Sequence, residues 1–265
     1  MIKIVQNSSP MTEAALAKAS HVLFVLPKAS SLAVDLPGVV ALRARLARRR
    51  MKPEALAKTS LSGDLEQGGL AAWVMLDDQQ TPFERHTLLR KALQPLLAEH
   101  PKEIAIAVFG NAEMRRLAAE ACVYAALVNS AALPLRKKED DSRPLQKLAL
   151  YGYKAENDFS ALRGQAEGNV LARKLTMLPA NELTPGLYRE RIRKLARENG
   201  WKYAEYDMKK LRKVGAGAFV AVAQGSSEDD AAIVHLSYRH PQAKKTVALV
   251  GKGICFDTGG HNLKP

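Results

Sequence analysis

The sequence predicts an α/β protein, because short apolar runs typical of strands alternate with amphipathic helical patterns along most of its 265 residues. Clusters of glycine, proline and charged residues separate these runs, as expected for connecting loops. With 47% hydrophobic residues, the chain can bury the core of one large or two ordinary domains without disulfide bonds or structural metal. The regular alternation favours a largely parallel or mixed sheet.

The first part of the chain is predicted to be an α/β domain of its own. Its strands are predicted at Ile2–Val5, His21–Leu26, Leu70–Leu76, Ile104–Phe109 and Lys147–Tyr151. Helices are predicted near Val39–Arg50, Phe83–Glu99 and Ala112–Leu133. We expect Pro95 to interrupt the second of these helices, because proline lacks the backbone N–H that a helix interior uses. The charged stretch at 136–143 is predicted to be a surface loop.

A polar break at 154–158 places the predicted domain boundary near residue 155, which gives domains 1–155 and 156–265. A long helical pattern follows, ends at Pro179 and is predicted to connect the domains. Thr184 has the character of an N-cap with Pro185 in the first helical position, so another helix is predicted from there to Gly200. Further strands are predicted at Trp201–Tyr206, Ala231–Ser237 and Thr246–Val250.

The chain carries 40 Lys plus Arg against 27 Asp plus Glu, a net charge of +13 that favours anionic partners. Part of the excess lies in two clusters, at 43–52 and 209–213. We interpret both as solvated helix faces, because no interleaved aromatic residues or nucleic-acid motif accompanies them. Weak binding of nucleic acid remains the alternative.

Cysteine usage and hydropathy favour a cytoplasmic protein. The two cysteines, Cys122 and Cys255, have neither the number nor the spacing of a disulfide framework, which suggests a reducing compartment. No apolar run approaches the ~20 residues that span a bilayer, and the N-terminus lacks the pattern of a secretory signal. We therefore expect no membrane segment.

The last predicted strand leads into a glycine-rich loop that carries Lys252, Asp257 and Lys264. The glycines let the backbone turn sharply enough to direct these side chains to one place. A carboxylate such as Asp257 suits a hard divalent cation. A lysine amine binds metal only when neutral, and burial beside a dication would lower its pKa. Taken alone, the loop also fits a turn capped by the aspartate or a phosphate contact made by the lysine.

The segment at 250–265, VGKGICFDTGGHNLKP, resembles the first signature of the leucyl (cytosol) aminopeptidases, a family of two-metal exopeptidases. Two upstream segments resemble the same family in the same order: GNVLARKLTMLPANELTP at 168–185 and GAFVAVAQGS at 217–226. The resemblance covers roughly 158–265, while the residues before about 150 resemble the family only as a variable N-terminal domain would. It implies that the second domain is the start of a mixed-sheet α/β aminopeptidase catalytic domain.

The resemblance also implies the chemistry of the loop. Lys252 and Asp257 would be metal ligands, and Lys264 would be the catalytic electrophile that polarises the scissile carbonyl and stabilises the oxyanion. Two divalent cations, zinc or manganese, would generate the hydroxide that cleaves the N-terminal peptide bond. The implied substrates are peptides, and the implied assembly is a hexamer.

The family's later motif, which supplies further carboxylate ligands, is absent from residues 1–265. We therefore expect the chain as written to be truncated within the catalytic domain and to lack peptidase activity. Two alternatives stay open: a non-catalytic remnant or regulatory subunit of such an enzyme, and a basic nucleic-acid-binding protein.

Overall fold

The computed structural model describes residues 2–134, 136, 143–226 and 228–256, and the statements below concern these residues. The chain forms two compact units, Met1–Lys174 and Leu175–Pro265. The predicted boundary near residue 155 stays a prediction. Most of the helix that was predicted to connect the domains lies in the first unit. Its Asn169 and Arg173 side chains donate hydrogen bonds to the Tyr124 hydroxyl and to the Val128 carbonyl oxygen of that unit.

A six-stranded sheet forms the centre of the first unit and confirms the predicted α/β fold class. Its strands are β1 (Lys3–Asn7), β2 (His21–Pro27), β3 (Leu61–Asp64), β4 (Leu70–Leu76), β5 (Glu103–Val108) and β6 (Lys147–Tyr151), in the spatial order β1-β6-β5-β2-β4-β3. Neighbouring strands are parallel except β3, which pairs antiparallel with β4. The strand pattern His21-Val-Leu-Phe-Val-Leu-Pro27 is apolar without alternation because both faces of this sheet are covered.

Helices cover the two faces of the sheet. They are α1 (Glu13–Leu16), α2 (Val39–Arg48), α3 (Pro82–Leu97), α4 (Ala112–Asn129) and α5 (Ser160–Thr176), with a 3₁₀ helix at Pro53–Ala57. On one face, Leu42 of α2 packs in a core with Phe24 and Trp73, whose ring centroids are 5.9 Å apart. On the other, Leu93 of α3 and Cys122 of α4 share a second core with alternate residues of the same strands.

The expected interruption at Pro95 is wrong, because α3 continues through it to Leu97. The proline lies near the end of the helix, and buried side chains on either side of it, Leu93 and Leu96, hold that last turn against the sheet. The start of α3 is fixed by a capping box in which Thr81 and Glu84 satisfy each other's backbone N–H groups.

The second unit contains α6 (Pro185–Glu198), β7 (Lys202–Asp207), α7 (Met208–Lys213), α8 (Gly217–Ala223) and β8 (Ala232–Ser237). β7 and β8 form a two-stranded antiparallel sheet, with Tyr203 opposite Leu236. The strands predicted near these positions are confirmed to within one residue. The predicted N-cap is confirmed as well, since the Thr184 hydroxyl accepts a hydrogen bond from the Leu187 N–H at 3.4 Å.

Within the described parts of the chain, no helix is both long enough and apolar enough to cross a bilayer.

Candidate metal centre

The strand predicted at Thr246–Val250 is wrong: residues 243–256 contain neither helix nor strand. A strand is defined by hydrogen bonds to a neighbour, and β8 pairs only with β7 in the described part of the sheet. The apolar side chains of residues 246–250 are not buried either, because Val247, Leu249 and Val250 are 77%, 92% and 100% exposed. Residues 246–250 therefore have the sequence pattern of a strand, but no described strand pairs with them.

Of the three predicted site residues, only Lys252 lies within the described residues, and it is exposed. Asp257 and Lys264 lie outside them. The burial that a neutral lysine ligand requires is therefore not present around Lys252. No group of three histidine, cysteine, aspartate or glutamate side chains that could hold a metal occurs among the described residues. A single lysine amine does not fit a metal ion on its own, so any ion here needs Asp257 and further donors.

The described part of the glycine-rich loop, residues 251–256, lies beside the start of α6. A side-chain carbon built on Gly253 would lie 3.9 Å from Cε1 of Tyr188, so the loop backbone approaches that ring. Cys255 is a free cysteine and is half-buried. Burial raises the pKa of the Cys255 thiol, and the negative charge of Asp230 raises it further.

Asp230, two residues before β8, contacts the first turn of α6. Its Oδ2 atom accepts a hydrogen bond from the Gly186 N–H at 2.7 Å, and its carbonyl oxygen accepts one from Nη1 of Arg189 at 2.6 Å. These two contacts join residues that are 44 and 41 positions apart in the sequence. Asp230 is not recognisable from the sequence, because a side chain that caps a distant helix leaves no local pattern.

A second contact between α6 and the hairpin centres on Glu205 in β7. Its carboxylate accepts hydrogen bonds from Arg189 at 2.7 and 3.3 Å, from Arg193 at 3.3 Å and from the hydroxyl of Tyr203. The Arg193 guanidinium also lies 5.1 Å from the centroid of the Tyr203 ring. The Arg189 hydrogen bonds, followed by that of Tyr203, lower the pKa of Glu205 to about 2.

Several members of the two basic clusters are used inside the fold. Arg45 of α2 lies 3.6 Å from the carboxylate of Asp64, and its guanidinium passes directly over Gly63. In the second cluster, Arg212 donates two hydrogen bonds to Asp229, at 2.7 and 2.8 Å. These contacts give two arginines of the basic clusters acidic partners within the fold.

Comparison with known proteins finds similarity to the cytosol aminopeptidases. Residues 170–265 match the sequence model described as "Cytosol aminopeptidase family, catalytic domain". A probable cytosol aminopeptidase of Prochlorococcus marinus is 43% identical over 98 residues, which are 37% of this chain and 20% of that protein. The corresponding protein of Stutzerimonas stutzeri is 40% identical over 139 residues, 49% of this chain and 27% of that protein. The chain thus spans less than a third of the length of these curated relatives.

Solved structures resemble a larger share of the chain. The bottromycin maturation enzyme BotP in complex with Mn superposes with a TM-score of 0.68 at 25% identity, covering 93% of this chain and 50% of BotP. A mutant of tomato leucine aminopeptidase superposes with a TM-score of 0.69 at 19% identity, covering 92% of this chain and 52% of that protein. The likeness to the tomato enzyme concerns the fold alone, because the identity is 19%. It extends over both units of this chain.

Proposed function

Because residues 170–265 match the model of the catalytic domain of the cytosol aminopeptidase family, we propose that this polypeptide contributes the first part of a metal-dependent aminopeptidase. Such an enzyme hydrolyses the N-terminal peptide bond of peptides. The observation that carries the proposal is the match of 170–265, which contains the loop with Lys252, Asp257 and Lys264. The manganese complex of BotP, a structural relative, agrees with a divalent metal in the reaction.

We assign distinct roles to the three loop residues. Lys252 and Asp257 are proposed as ligands, the lysine through its neutral amine and the aspartate through its carboxylate. Lys264 keeps its positive charge, polarises the scissile carbonyl and stabilises the oxyanion that develops there. Two divalent ions, zinc or manganese, would supply a hydroxide nucleophile at neutral pH.

Lys252 and Asp257 do not make a complete set of ligands for two metal ions. One amine and one carboxylate cannot hold two dications against water, so we propose that the other carboxylates come from outside residues 1–265. The short span of this chain relative to its curated relatives supports that assignment. We accordingly expect the 265-residue chain to be inactive by itself. We further propose a cytoplasmic location, which the names of the relatives support, and a hexameric assembly.

The proposal is tested by supplying the remaining ligands in one polypeptide with residues 1–265 and measuring release of the N-terminal residue from a short peptide in the presence of Mn²⁺ or Zn²⁺. We expect hydrolysis that a chelator abolishes and that added metal restores. The same peptide with an acetylated N-terminus is the matched control, because it lacks the free amine that an aminopeptidase anchors. Equal cleavage of both peptides, or cleavage in excess chelator, would contradict the proposal.

A regulatory role without catalysis makes a different prediction. A non-catalytic subunit would bind full-length subunits and remain without peptidase activity when the missing carboxylates are supplied. Native mass measurement of the resulting species, combined with the hydrolysis assay, separates this alternative from an enzyme.

A further inference from the structure

The end of α2 and the segment that follows it carry five basic side chains that project into solvent. They are Arg48, Arg49, Arg50, Lys52 and Lys58, and all five are exposed. We call them the α2 basic patch. No ion pair or side-chain hydrogen bond joins any of them to another residue that the structure describes. The patch therefore presents five positive charges to solvent within eleven consecutive positions, 48–58.

The arginines nearer the start of α2 are used inside the fold. Arg43 donates a hydrogen bond to a backbone carbonyl oxygen at 3.4 Å, and Arg45 lies 3.6 Å from the carboxylate of Asp64. Arg48 faces away from the core, because it follows the buried Leu46 by two residues, a rotation of about 200° around the helix. The contacts within the fold thus end where the α2 basic patch begins.

Two structural explanations do not account for this patch. Cations in the last turn of a helix are stabilised by its dipole, which applies to Arg48 and Arg49 but not to Lys52 and Lys58, since the helix has ended before them. Solubility requires charge but not clustering, and clustered like charges destabilise the fold by repulsion. A group of unpaired cations on one surface is therefore typical of a site for an anionic partner.

The composition of residues 48–58 indicates which anion fits. Three of the five cations are arginines, whose guanidinium groups bind phosphate through two parallel hydrogen bonds. The segment contains no aromatic residue, so it lacks the stacking platform on which single strands are bound. Its larger apolar side chains, Met51 and Leu56, are half-buried and buried, so they are not available to enter a lipid bilayer. A duplex, which exposes its phosphates and hides its bases, matches this surface.

We propose that the α2 basic patch binds the phosphate backbone of double-stranded nucleic acid, without reading the base sequence. This assigns the binding of anions that the net charge of +13 favours to one surface of the first unit. The site uses neither the proposed metal ligands nor a peptide, so it goes beyond the proposed aminopeptidase function. Because contacts to phosphate release bound counterions, the affinity must fall steeply as the salt concentration rises.

The test is a titration of a fluorescently labelled, mixed-sequence DNA duplex of about 20 base pairs with the metal-free chain, followed by anisotropy between about 50 and about 200 mM salt. The variant Arg48→Gln with Arg49→Gln removes two charges of the patch and keeps good helix formers. We expect it to weaken binding about 10-fold or more at low salt and to lower the slope of log Kd against log salt concentration by about 2.

The matched control is Arg90→Gln with Lys91→Gln. It removes the same two charges from exposed positions of α3, which packs on the other face of the sheet from α2. We expect the control to bind the duplex as the wild type does. Arg48→Lys with Arg49→Lys keeps both charges and should retain most of the affinity and the full salt dependence. All three variants should keep the urea midpoint of the wild type, because the four side chains are exposed.

Absence of binding at about 50 mM salt would overturn the proposal. Equal weakening in the two glutamine variants would also overturn it, because net charge without a dedicated surface would then explain the affinity. Tighter binding to phosphatidylserine vesicles than to the duplex, lost in the α2 glutamine variant, would show that the patch is a membrane surface instead. No metal or peptide takes part, so failure of the proposed peptidase function would leave these outcomes unchanged.

Discussion

Replacing Glu205 with glutamine removes the charge that joins α6 to the β7–β8 hairpin. The carboxylate is held by the guanidinium groups of Arg189 and Arg193 and by the Tyr203 hydroxyl, and only 20% of its side chain is exposed. Glutamine keeps the size of the side chain and one accepting oxygen. The variant therefore isolates the contribution of the negative charge.

The magnitude follows from the pKa of Glu205, which falls from 4.5 to about 2 in the folded protein. At 1.36 kcal/mol for each pH unit, the full difference would contribute at most about 3 kcal/mol to the free energy of unfolding. Solvent screens part of this interaction, so we expect Glu205→Gln to lower the free energy of unfolding by about 1–2 kcal/mol at neutral pH. Because the folded pKa is depressed, the contribution is fully present above about pH 4.5 and is lost as the pH falls toward 2.

Urea unfolding measures this difference when it is followed by the fluorescence of Trp201, which lies in the second unit. The background variant Trp73→Phe removes the other tryptophan of the chain, so the signal reports on that unit alone. Glu190→Gln is the matched control, because Glu190 is exposed on the same helix and makes no described hydrogen bond or ion pair. If the difference in the free energy of unfolding between wild type and Glu205→Gln stays constant from neutral pH to about pH 2.5, or if it equals the loss in Glu190→Gln, the charge of Glu205 does not stabilise the second unit.

Two further predictions concern the first unit and are read from urea midpoints. Pro95→Ala should raise the free energy of unfolding by about 1–3 kcal/mol, because alanine restores a backbone N–H within α3; a decrease would show that the proline ring is needed for packing. Gly152→Ala should lower it by about 3 kcal/mol or more, because Gly152 has a φ of +92° and a Cβ there would lie 2.3 Å from the Val108 carbonyl oxygen. Gly164→Ala is the control for Gly152→Ala, because a Cβ at Gly164 in α5 would meet nothing within 4 Å. It should raise the free energy of unfolding by about 0.5–1 kcal/mol. A decrease in both variants would contradict the steric explanation.

Most of the first unit could be predicted from the sequence, because its strands are long apolar runs between clear breaks. The strand β2, His21–Pro27, is recognisable without any knowledge of its neighbours. By contrast, β3 was missed since Leu61–Asp64 has only two buried residues and depends on pairing with β4. The helix start at Thr184 was found because an N-cap acts within three residues.

The second unit shows where local patterns stop being informative. The run Thr246–Val250 has the composition of a strand, yet pairing decides whether a strand forms, and the described residues offer it no partner. Glu205 and Asp230 were missed for a related reason. Their partners on α6 lie 16 and 44 positions away, so only the folded chain brings them together.

We propose that Lys252 and Asp257 bind the metal that drives hydrolysis. The most direct measurement is the rate of N-terminal residue release by the ligand-complete polypeptide carrying Lys252→Ala with Asp257→Ala, at saturating Mn²⁺. Lys245→Ala, an exposed lysine on the same segment, is the control. We expect a loss of about 100-fold or more in the double variant and none in the control. Equal rates in the double variant and the wild type would contradict it.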